Sequence, residues 1–455
     1  MGGMIKVLLM MDPRRPGYAN LSGVHKYFYE LVTSMPADVE FVFVHPYVPD
    51  AATVKHAPTK GHPGPDAKKG LGRFLPLWLR LALGYSKDVV QLARKLRPFR
   101  DKVDVFHVVA GGCEISTIAA KLARFPVVVD TVQAMHGEEA GAEHWVRRWV
   151  ERLCFWCSDY QIFVSDATRE SWEQRLSRGF PQSCTIYNGM RAPDFSEYDR
   201  VAYRKQFVAD EENAFVIGIC ARLHHMKGHR VLIDAFAEMF KTRRHEDTKG
   251  EGGRGGGSRE WRVESGESTT DRIAAGQNEH TQSLQSSVFS LQSVVSTLQP
   301  STFNLQSFLL IAGDGPERVA IERQIAGLPR VVADRIRLVG HREDPCLFVA
   351  CLDLHVMAST SIETIGYANI EAMFAGIPCI VSDVGGAKEI VRGSGGGVVV
   401  GAGHVEELVE SMTIYAKDPE RCRLDGRKGS AYACNHLTAE VMARKTLVVY
   451  EESRG

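Results

Sequence analysis

The sequence lacks an excess of charge of either sign. Its 455 residues contain 55 Lys plus Arg and 55 Asp plus Glu, so the formal net charge is zero. Proteins that bind nucleic acid through the phosphate backbone carry a surplus of basic residues. The balanced composition therefore gives no reason to expect a nucleic-acid partner.

Long hydrophobic runs are also missing, because no apolar stretch reaches the ~20 residues that a membrane-spanning helix needs. The apolar run within residues 1–12 is too short for a signal peptide and has no small-residue cleavage site. We interpret this run as a first buried strand and expect a cytoplasmic protein.

The ten cysteines lack the spacing of a disulfide framework. Most lie in apolar segments, as Cys220 and Cys379 do, which indicates buried, reduced thiols in a cytosolic protein. Cys154 and Cys157 form a single Cys-x-x-Cys in an amphipathic helical segment, and no second pair has zinc spacing. We therefore expect no redox or metal role for this pair.

The sequence does contain an alternation of strand and helix patterns, which stops and starts again halfway along the chain. The length predicts two domains, and the alternation predicts a parallel α/β sheet with helices on both faces in each. We place the boundary between residues 1–195 and 196–455, within the polar and irregular stretch 191–212, which suits a hinge.

Residues 242–306 interrupt this alternation with a composition rich in Gly, Ser, Thr, Gln and charge. Leucines recur there every seven residues, at Leu284, Leu291, Leu298 and Leu305. A coiled coil is one interpretation, but Pro300, the many serines and the absence of flanking charges oppose it. We expect an expanded, mostly disordered repeat inserted between a helix and a strand.

Two carboxylates lie where a strand is followed by a helix in the second half. Residues 353–357 are predicted as a buried strand, 359–366 as a polar loop and 367–375 as a helix. Glu363 then lies at the mouth of the helix, where free N–H groups suit a phosphate. Glu371 lies about one turn inside and can accept two hydrogen bonds from a ribose diol. The plainer explanation is a charged helix start and a surface Glu.

Two basic residues occupy another predicted strand-to-helix turn. Arg222 and Lys227 follow the strand 215–220 and precede the helix 228–240. An Arg can bind two phosphate oxygens and a Lys adds a point charge, so the pair suits a diphosphate on which negative charge grows. Two solvated bases near a helix start would show the same pattern.

Together these segments resemble the retaining, nucleotide-sugar-dependent glycosyltransferases of the GT-B fold, the group 1 (glycosyltransferase family 4-like) family. The shared motifs are Glu-any-seven-Glu at Glu363 and Glu371, Arg-x4-Lys at Arg222 and Lys227, Gly-Asp-Gly-Pro from Gly313, and Asp-x-Gly-Gly-x-x-Glu in residues 381–391. The resemblance implies two Rossmann-like domains that face a central cleft. It also implies that the last helix, near residues 438–452, packs back on the first domain.

The resemblance further implies roles for individual residues. Glu363 would contact the transferred sugar and the diphosphate, and Glu371 would hold the ribose. Arg222 and Lys227 would bind the diphosphate. Further candidates for the donor pocket are Ser359, Gly313, Gly385 and Gly386. Relatives of this type use basic side chains and helix dipoles instead of a metal, and this sequence has no Asp-x-Asp motif, so we expect neither a metal nor another cofactor.

The first half matches the family less closely. Relatives often carry two glycines at the mouth of the first helix, where this chain has Ser22 and Gly23, and we assign Gly23 to the donor pocket. Many relatives carry a His directly after Thr-Val, near the reacting sugar. Here Gln133 takes that place and His136 follows three residues later. Either can line the acceptor or sugar site, although a lone His in a loop is usually a polar surface residue.

The segment 71–83 is apolar with interspersed basic residues and follows Lys68 and Lys69. One interpretation is an interfacial helix that touches anionic lipid. The other, which we favour, is a core helix whose Arg side chains extend to the surface.

From the resemblance we expect a glycosyltransferase that moves a sugar from a nucleotide diphosphate sugar to an acceptor hydroxyl, with retention of configuration. The acceptor would be a glycan, a lipid-linked glycan or a small molecule. The expected setting is synthesis of the cell envelope, a polysaccharide or a glycolipid, in the cytoplasm or at the inner face of the membrane. Two alternatives stay open: a sugar-nucleotide epimerase or phosphorylase on the same fold, and a non-catalytic protein that binds nucleotide sugars.

Overall fold

The structure, a computed structural model, describes residues 4–11, 22–43, 77–110, 115–135, 144–208, 214–250 and 307–454. Within these ranges the chain forms two parallel sheets of six strands each. The first sheet is built from residues 5–185 and the second from residues 215–400. Most of the predicted insert 242–306, with its heptad leucines, lies outside the described residues.

The first sheet has the strand order β2-β1-β3-β4-β5-β6, and neighbouring strands are parallel. Its strands are β1 (Ile5–Met11), β2 (Val39–Phe43), β3 (Val105–Ala110), β4 (Val127–Val132), β5 (Tyr160–Phe163) and β6 (Ser183–Thr185). The helices between them are α1 (Ser22–Ser34), α2 (Leu77–Leu96), α3 (Ile115–Ala123), α4 (His144–Trp156) and α5 (Asp166–Leu176). The short apolar runs form the strands and the amphipathic stretches between them form the helices. Each helix carries the chain back to the start of the next parallel strand.

The second sheet has the order β12-β11-β10-β7-β8-β9 and is also parallel. Its strands are β7 (Phe215–Cys220), β8 (Ser307–Ala312), β9 (Ile336–Gly340), β10 (Leu354–Met357), β11 (Cys379–Ser382) and β12 (Gly397–Val400). The helices are α6 (Arg200–Arg204), α7 (His229–Gly250), α8 (Arg318–Ala326), α9 (Arg330–Ala333), α10 (Pro345–Ala350), α11 (Tyr367–Phe374), α12 (Ala387–Ser394), α13 (Val405–Lys417), α14 (Pro419–His436) and α15 (Ala439–Arg454).

The last helix, α15, packs against α1 on one face of the first sheet. Met442 and Tyr450 of α15 share a hydrophobic core with Tyr27 of α1. The Tyr450 hydroxyl lies 2.6 Å from His107 Nδ1 in β3, and burial lowers the pKa of His107 to about 3, so this imidazole stays neutral. The chain therefore returns to the first sheet after it has completed the second. The domain boundary at residue 195 stays a prediction.

The other face of the first sheet is covered by α2, α3 and α4. Leu8 and Phe106 point into this layer, whereas their neighbours Val7 and Val105 point towards the core shared by α1 and α15. This alternation follows from the two-residue period of a strand, and it buries the sheet on both faces.

Two stretches differ from the expectation. The helix α7 continues to Gly250, well into the predicted insert, because residues 241–249 are rich in Lys, Arg and Glu and contain neither Gly nor Pro. Within the irregular stretch 191–212, α6 forms a short helix. Its N-cap residue Asp199 accepts a hydrogen bond from the backbone of Ala202.

The segment 71–83 is only partly described: residues 77–83 begin α2, and residues 71–76 lie outside the described residues. Among the described helices, none is both long and apolar enough to cross a bilayer. The nine cysteines in the described part of the chain are free thiols. In the same ranges, no group of three or more His, Cys, Asp or Glu side chains could hold a metal ion.

Candidate functional site

The carboxyl ends of the second sheet bring a Lys, a Glu and a Ser into direct contact. Lys227 ends a 3₁₀ turn that follows β7, and Glu363 lies in the loop after β10. Lys227 Nζ lies 2.5 Å from Glu363 Oε2, and Ser359 Oγ donates to the same oxygen at 2.8 Å. Glu363 is 4% exposed, so Lys227 and not water balances its charge. An ammonium group has three N–H donors, so Lys227 can still donate to a ligand.

Two backbone contacts hold this cluster in place. The Thr360 amide donates to the carbonyl of Met226 at 2.9 Å, which ties the Lys227 turn to the Glu363 loop. Gly385 has a φ of +64°, and a Cβ at this position would lie 1.5 Å from the Glu363 carbonyl oxygen. Only a residue without a side chain permits this approach, so Gly385 is needed to shape the loop.

Glu371 lies in α11 and is 3% exposed, which excludes the interpretation of a surface Glu. Its Oε1 lies 2.7 Å from Nζ of Lys26, which belongs to α1 in the first half of the chain. Burial alone would lower the pKa of Lys26, but the charge of Glu371 outweighs it and the pKa is raised. The Lys26 ammonium also lies 4.7 Å from the centre of the Tyr367 ring. A charged pair therefore joins the two halves beside α11.

Arg222 lies just before the Lys227 turn and is exposed, and no carboxylate among the described residues pairs with it. Gly313 packs directly beneath this turn, since a Cβ there would lie 1.9 Å from the Ala221 carbonyl oxygen. Gly313 therefore supports the backbone that carries Arg222. The structure brings Lys227 and Glu363 together and leaves the Arg222 guanidinium free to meet an anion.

The carboxyl ends of the first sheet carry neutral amides. Gln133 follows β4 and Asn188 lies after β6, and Asn188 Nδ2 donates to Gln133 Oε1 at 3.1 Å. Both side chains are buried, yet Gln133 Nε2 and Asn188 Oδ1 have no hydrogen-bond partner in the part of the chain that the structure describes. Buried amide groups without partners are costly, so this pair has hydrogen-bonding capacity left for a ligand.

The two other predicted residues of the first half are less well defined. Gly23 is the second residue of α1, at the end of the helix where N–H groups are free. His136 lies outside the described residues.

Asp130 is an unusual buried acid in the middle of β4. It is fully buried, and within the described ranges neither of its carboxylate oxygens has a hydrogen-bond partner. Its strand neighbours are Val108 in β3 and Gln161 in β5. Burial raises the pKa of Asp130 to about 8, so this carboxyl group is neutral at pH 7.

Glu389 on α12 reaches across to the first half of the chain. Its carboxylate accepts hydrogen bonds from the backbone amides of Asp166 at 3.0 Å and Ala167 at 2.6 Å, at the N-terminus of α5. Burial raises the pKa of Glu389, while these two hydrogen bonds oppose the rise. Beside it, a Cβ on Gly386 would lie 2.4 Å from the Ser165 Cβ, so the two halves are in close contact here. The positive end of the α5 dipole is therefore occupied by a carboxylate from the other half.

Sequence reasoning did not single out Lys26, Asn188 or Glu389. A signal was present for two of them: Lys26 follows Gly23 by three residues, and Glu389 closes the Asp-x-Gly-Gly-x-x-Glu run. No sequence signal indicated that Asn188 would meet Gln133, because that contact depends on how β4 and β6 are arranged in the sheet.

Comparison with protein families gives a match in the second half of the chain. Residues 285–418 match the family described as Glycosyl transferases group 1. The matched region contains Ser359, Glu363, Glu371 and the glycine pair 385–386, and it does not include Arg222 or the first sheet.

Curated relatives are similar over part of the chain. N-acetyl-alpha-D-glucosaminyl L-malate synthase of Bacillus anthracis is 26% identical over 160 residues, which is 35% of this chain and 41% of the relative. The lipopolysaccharide core biosynthesis mannosyltransferase LpsB of Rhizobium meliloti (strain 1021) is 30% identical over 122 residues, which is 26% of this chain and 34% of the relative. The similarity thus spans less than half the length of each of these relatives.

Solved structures are similar over almost the whole chain. Anabaena Alr3699/HepE in complex with UDP has a TM-score of 0.61 at 18% identity, with 98% of this chain and all of that chain covered. Sucrose-phosphate synthase (tll1590) from Thermosynechococcus elongatus has a TM-score of 0.60 at 16% identity, with 98% of each chain covered. At such identities the similarity establishes a shared fold.

Proposed function

Because this chain belongs to the group 1 glycosyltransferase family and has the GT-B fold, we propose that it is a retaining glycosyltransferase. It would transfer a sugar from a nucleotide diphosphate sugar to an acceptor hydroxyl. The observation that carries this proposal is the contact of Lys227 with the buried Glu363 at the end of the second sheet. Ligands of open parallel sheets bind at this edge.

Negative charge develops on the diphosphate as the bond to the sugar breaks. Lys227 is positioned by Glu363, to which Ser359 also donates, and it has donors left, while Arg222 is exposed on the same turn. Groups that are already oriented stabilise developing charge without reorganisation. We therefore assign the diphosphate to Lys227 and Arg222, and the side of the transferred sugar to Glu363.

We assign the ribose to Glu371. A carboxylate offers about four acceptor positions, of which Lys26 uses one through its 2.7 Å contact and the Cys346 thiol, which also donates to this carboxylate, uses another. The other positions can accept both hydroxyls of a vicinal diol. Ser359, Gly385, Gly386, Gly313 and Gly23 would complete the donor pocket through backbone and hydroxyl groups.

On the opposite edge we assign the sugar or the acceptor to Gln133, and His136 stays a second candidate. The names of the relatives support hydroxyl acceptors of different sizes, since one is an N-acetyl-alpha-D-glucosaminyl L-malate synthase and another a lipopolysaccharide core mannosyltransferase. We propose a glycan, a lipid-linked glycan or a small molecule as acceptor, in envelope, polysaccharide or glycolipid synthesis. We place the reaction in the cytoplasm or at the inner membrane face, and without a metal.

The decisive experiment starts with a panel of nucleotide sugars in a thermal-shift assay. A donor at 100 times its dissociation constant adds about 2.7 kcal/mol to stability. The donor that binds is then incubated with acceptors, and NMR determines the anomeric configuration of the product. We expect retention and activity that survives EDTA. Inversion, or loss of activity that a divalent ion restores, would contradict the proposal.

A second function is favoured by one feature of the first sheet. Gln133 stands where many relatives carry His, which suits a protein that binds nucleotide sugars without turnover. Donor binding with no turnover across an acceptor panel would identify this function. Donor consumption without an acceptor would identify an epimerase, and phosphate acting as the acceptor would identify a phosphorylase.

A further inference from the structure

Helix α4 presents a row of large apolar side chains to solvent. The exposed fractions are 52% for Trp145, 64% for Trp149, 43% for Leu153 and 75% for Trp156. Spacings of four, four and three residues place these side chains along one face of a helix. We call this row the tryptophan face.

The tryptophan face lies on the side of α4 that points away from the core of the first sheet. The opposite side of α4 already fills that core, where Cys154 and Phe155 are buried. Contiguous exposed patches of this kind are uncommon on monomeric proteins and mark surfaces that meet another phase or another molecule.

Basic residues flank the tryptophan face. α4 contains three Arg and one Glu, and that Glu151 is buried in ion pairs with Arg147 and Arg175. Arg152 lies 5.9 Å from the centre of the Trp149 ring. The exposed side of α4 therefore combines indole rings with positive charge and carries no exposed carboxylate of its own.

We propose that the tryptophan face docks α4 on an anionic lipid bilayer, with the helix lying in the plane of the headgroups. Trp prefers this depth, since its ring is apolar and its N–H is polar. Arg side chains beside the rings complement anionic headgroups. Docking of a second copy is less favoured, because these four side chains cover only on the order of 500 Å², against ~800 Å² per partner in a stable interface.

The position of α4 determines how the candidate site is oriented relative to the docked membrane. A helix that follows a strand in a parallel sheet begins at the carboxyl edge, so the Trp145 end of α4 lies towards the candidate site. At that edge, Met135 Sδ lies 3.1 Å from where a Cβ on Gly385 would be. Docking would bring the rim of the site close to the lipid surface. The surface is separate from the Lys227–Glu363 cluster, and its test requires no glycosyl transfer.

The test is co-sedimentation of the full chain with vesicles of phosphatidylcholine alone and with added phosphatidylglycerol. The variant carries Trp145→Gln, Trp149→Gln and Trp156→Gln. The matched control carries Val201→Gln, Val319→Gln and Val331→Gln, three apolar residues of similar exposure elsewhere on the chain. We expect the wild type to bind anionic vesicles, the tryptophan variant to bind on the order of tenfold more weakly or worse, and the control to bind as the wild type does.

Two results would overturn the proposal: no binding of the wild type to either vesicle, or equal binding of the tryptophan variant and the wild type. A dimer in sedimentation velocity that the Trp changes dissociate, without vesicle binding, would assign the face to a second copy instead. If the variant fails to fold, quenching of Trp emission by brominated lipid decides, measured on a Trp78→Phe protein that lacks the Trp of segment 71–83. Quenching supports docking, and emission unchanged by brominated vesicles refutes it.

Discussion

The carboxyl edges of the two sheets satisfy their polar groups in opposite ways. On the second sheet, Lys227 and Glu363 are charged, buried or half-buried, and bound to one another. On the first sheet, Gln133 and Asn188 are neutral and bound through one atom of each amide, with the other atoms unsatisfied. The charged groups of the second edge are already paired with each other, whereas the amides of the first edge still have atoms that can form hydrogen bonds.

This difference indicates which part of the proposed substrates each edge suits. A charged, oriented cluster suits the diphosphate, which is the same in every nucleotide diphosphate donor. Uncommitted amides suit hydroxyl groups, whose number and placement vary among sugars and acceptors. If this division holds, changes on the second edge should impair turnover or donor binding, and changes elsewhere in the first sheet should affect stability more than chemistry.

The largest effect is expected from the basic residues of the second edge. Lys227→Ala and Arg222→Ala should each raise the barrier by about 2–4 kcal/mol, because each removes a charge that stabilises the leaving diphosphate. Steady-state kcat/KM with the donor found by the thermal-shift screen measures this loss. Arg323→Ala, an exposed Arg on α8, is the control and should behave as wild type. Near wild-type kcat/KM in both variants would remove the diphosphate from this edge.

Changes of the two carboxylates of the second edge, Glu363 and Glu371, should affect different kinetic constants. Glu363→Gln should lower kcat more than it raises KM, because it frees Lys227 from the position set by the 2.5 Å contact. Glu371→Gln should mainly raise KM, since a ribose contact is shared by ground and transition states. We expect effects of about tenfold or more on the affected constant. The reverse pattern would mean that the two roles are exchanged.

In the first sheet, a change of Asp130 should alter how the free energy of unfolding depends on pH. Asp130 has a pKa raised to about 8 by burial, whereas the unfolded chain releases this proton near the ordinary value of 3.8. Between pH 3.8 and about pH 8, this carboxyl group is protonated in the folded state and ionised in the unfolded state. The free energy of unfolding therefore falls as pH rises through this range. Asp130→Asn removes this dependence. We expect the variant to gain about 1–3 kcal/mol over wild type between pH 5 and pH 8.

Urea unfolding of both proteins at the two pH values measures that gain. Wild-type and variant stabilities that change in parallel with pH would show that Asp130 is charged in the folded protein. Asp353→Asn is unsuitable as a control because that carboxylate binds Arg204, whereas the exposed Asp334→Asn should leave the pH dependence unchanged.

The smallest effect is expected where the two edges touch. Glu389→Gln keeps the shape of the side chain but removes the negative charge from the N-terminus of α5, and such charge–dipole contacts contribute about 0.3–1 kcal/mol. Thermal unfolding should show a correspondingly small loss, with Glu322→Gln on α8 as an exposed control. A loss above several kcal/mol would mean that Glu389 holds the halves together by more than this contact.

Local pattern predicted much of the fold. Strand β7 has the predicted bounds, Phe215–Cys220, and helix α11 begins at the predicted residue Tyr367 and ends one residue early at Phe374, because their apolar patterns are clear and polar or turn residues delimit them. The end of α7 was predicted too early, since the Lys- and Arg-rich residues after Phe240 continue a helix as well as they fill a loop.

The candidate site was predictable where one segment carries it. Glu363 and Glu371 lie eight residues apart, so their loop and helix could be read locally. The partner of Glu371 could not, because Lys26 lies 345 residues away and meets it only through the arrangement of the two halves. The same holds for Glu389 at the start of α5. The roles of all these residues remain predictions until the variants are measured.

Met190 and Ala439 show how the two sheets are joined. The chain crosses between the sheets twice, and at the crossing Met190 accepts from the Ala439 amide while its own amide donates to the Leu437 carbonyl, both at 3.1 Å. Two neighbouring, hydrogen-bonded crossings oppose rotation and translation of one sheet against the other and leave bending about the crossings as the easiest motion. The displacement in such a motion grows with distance from the crossings. Any opening of one sheet from the other would therefore be smallest beside Met190.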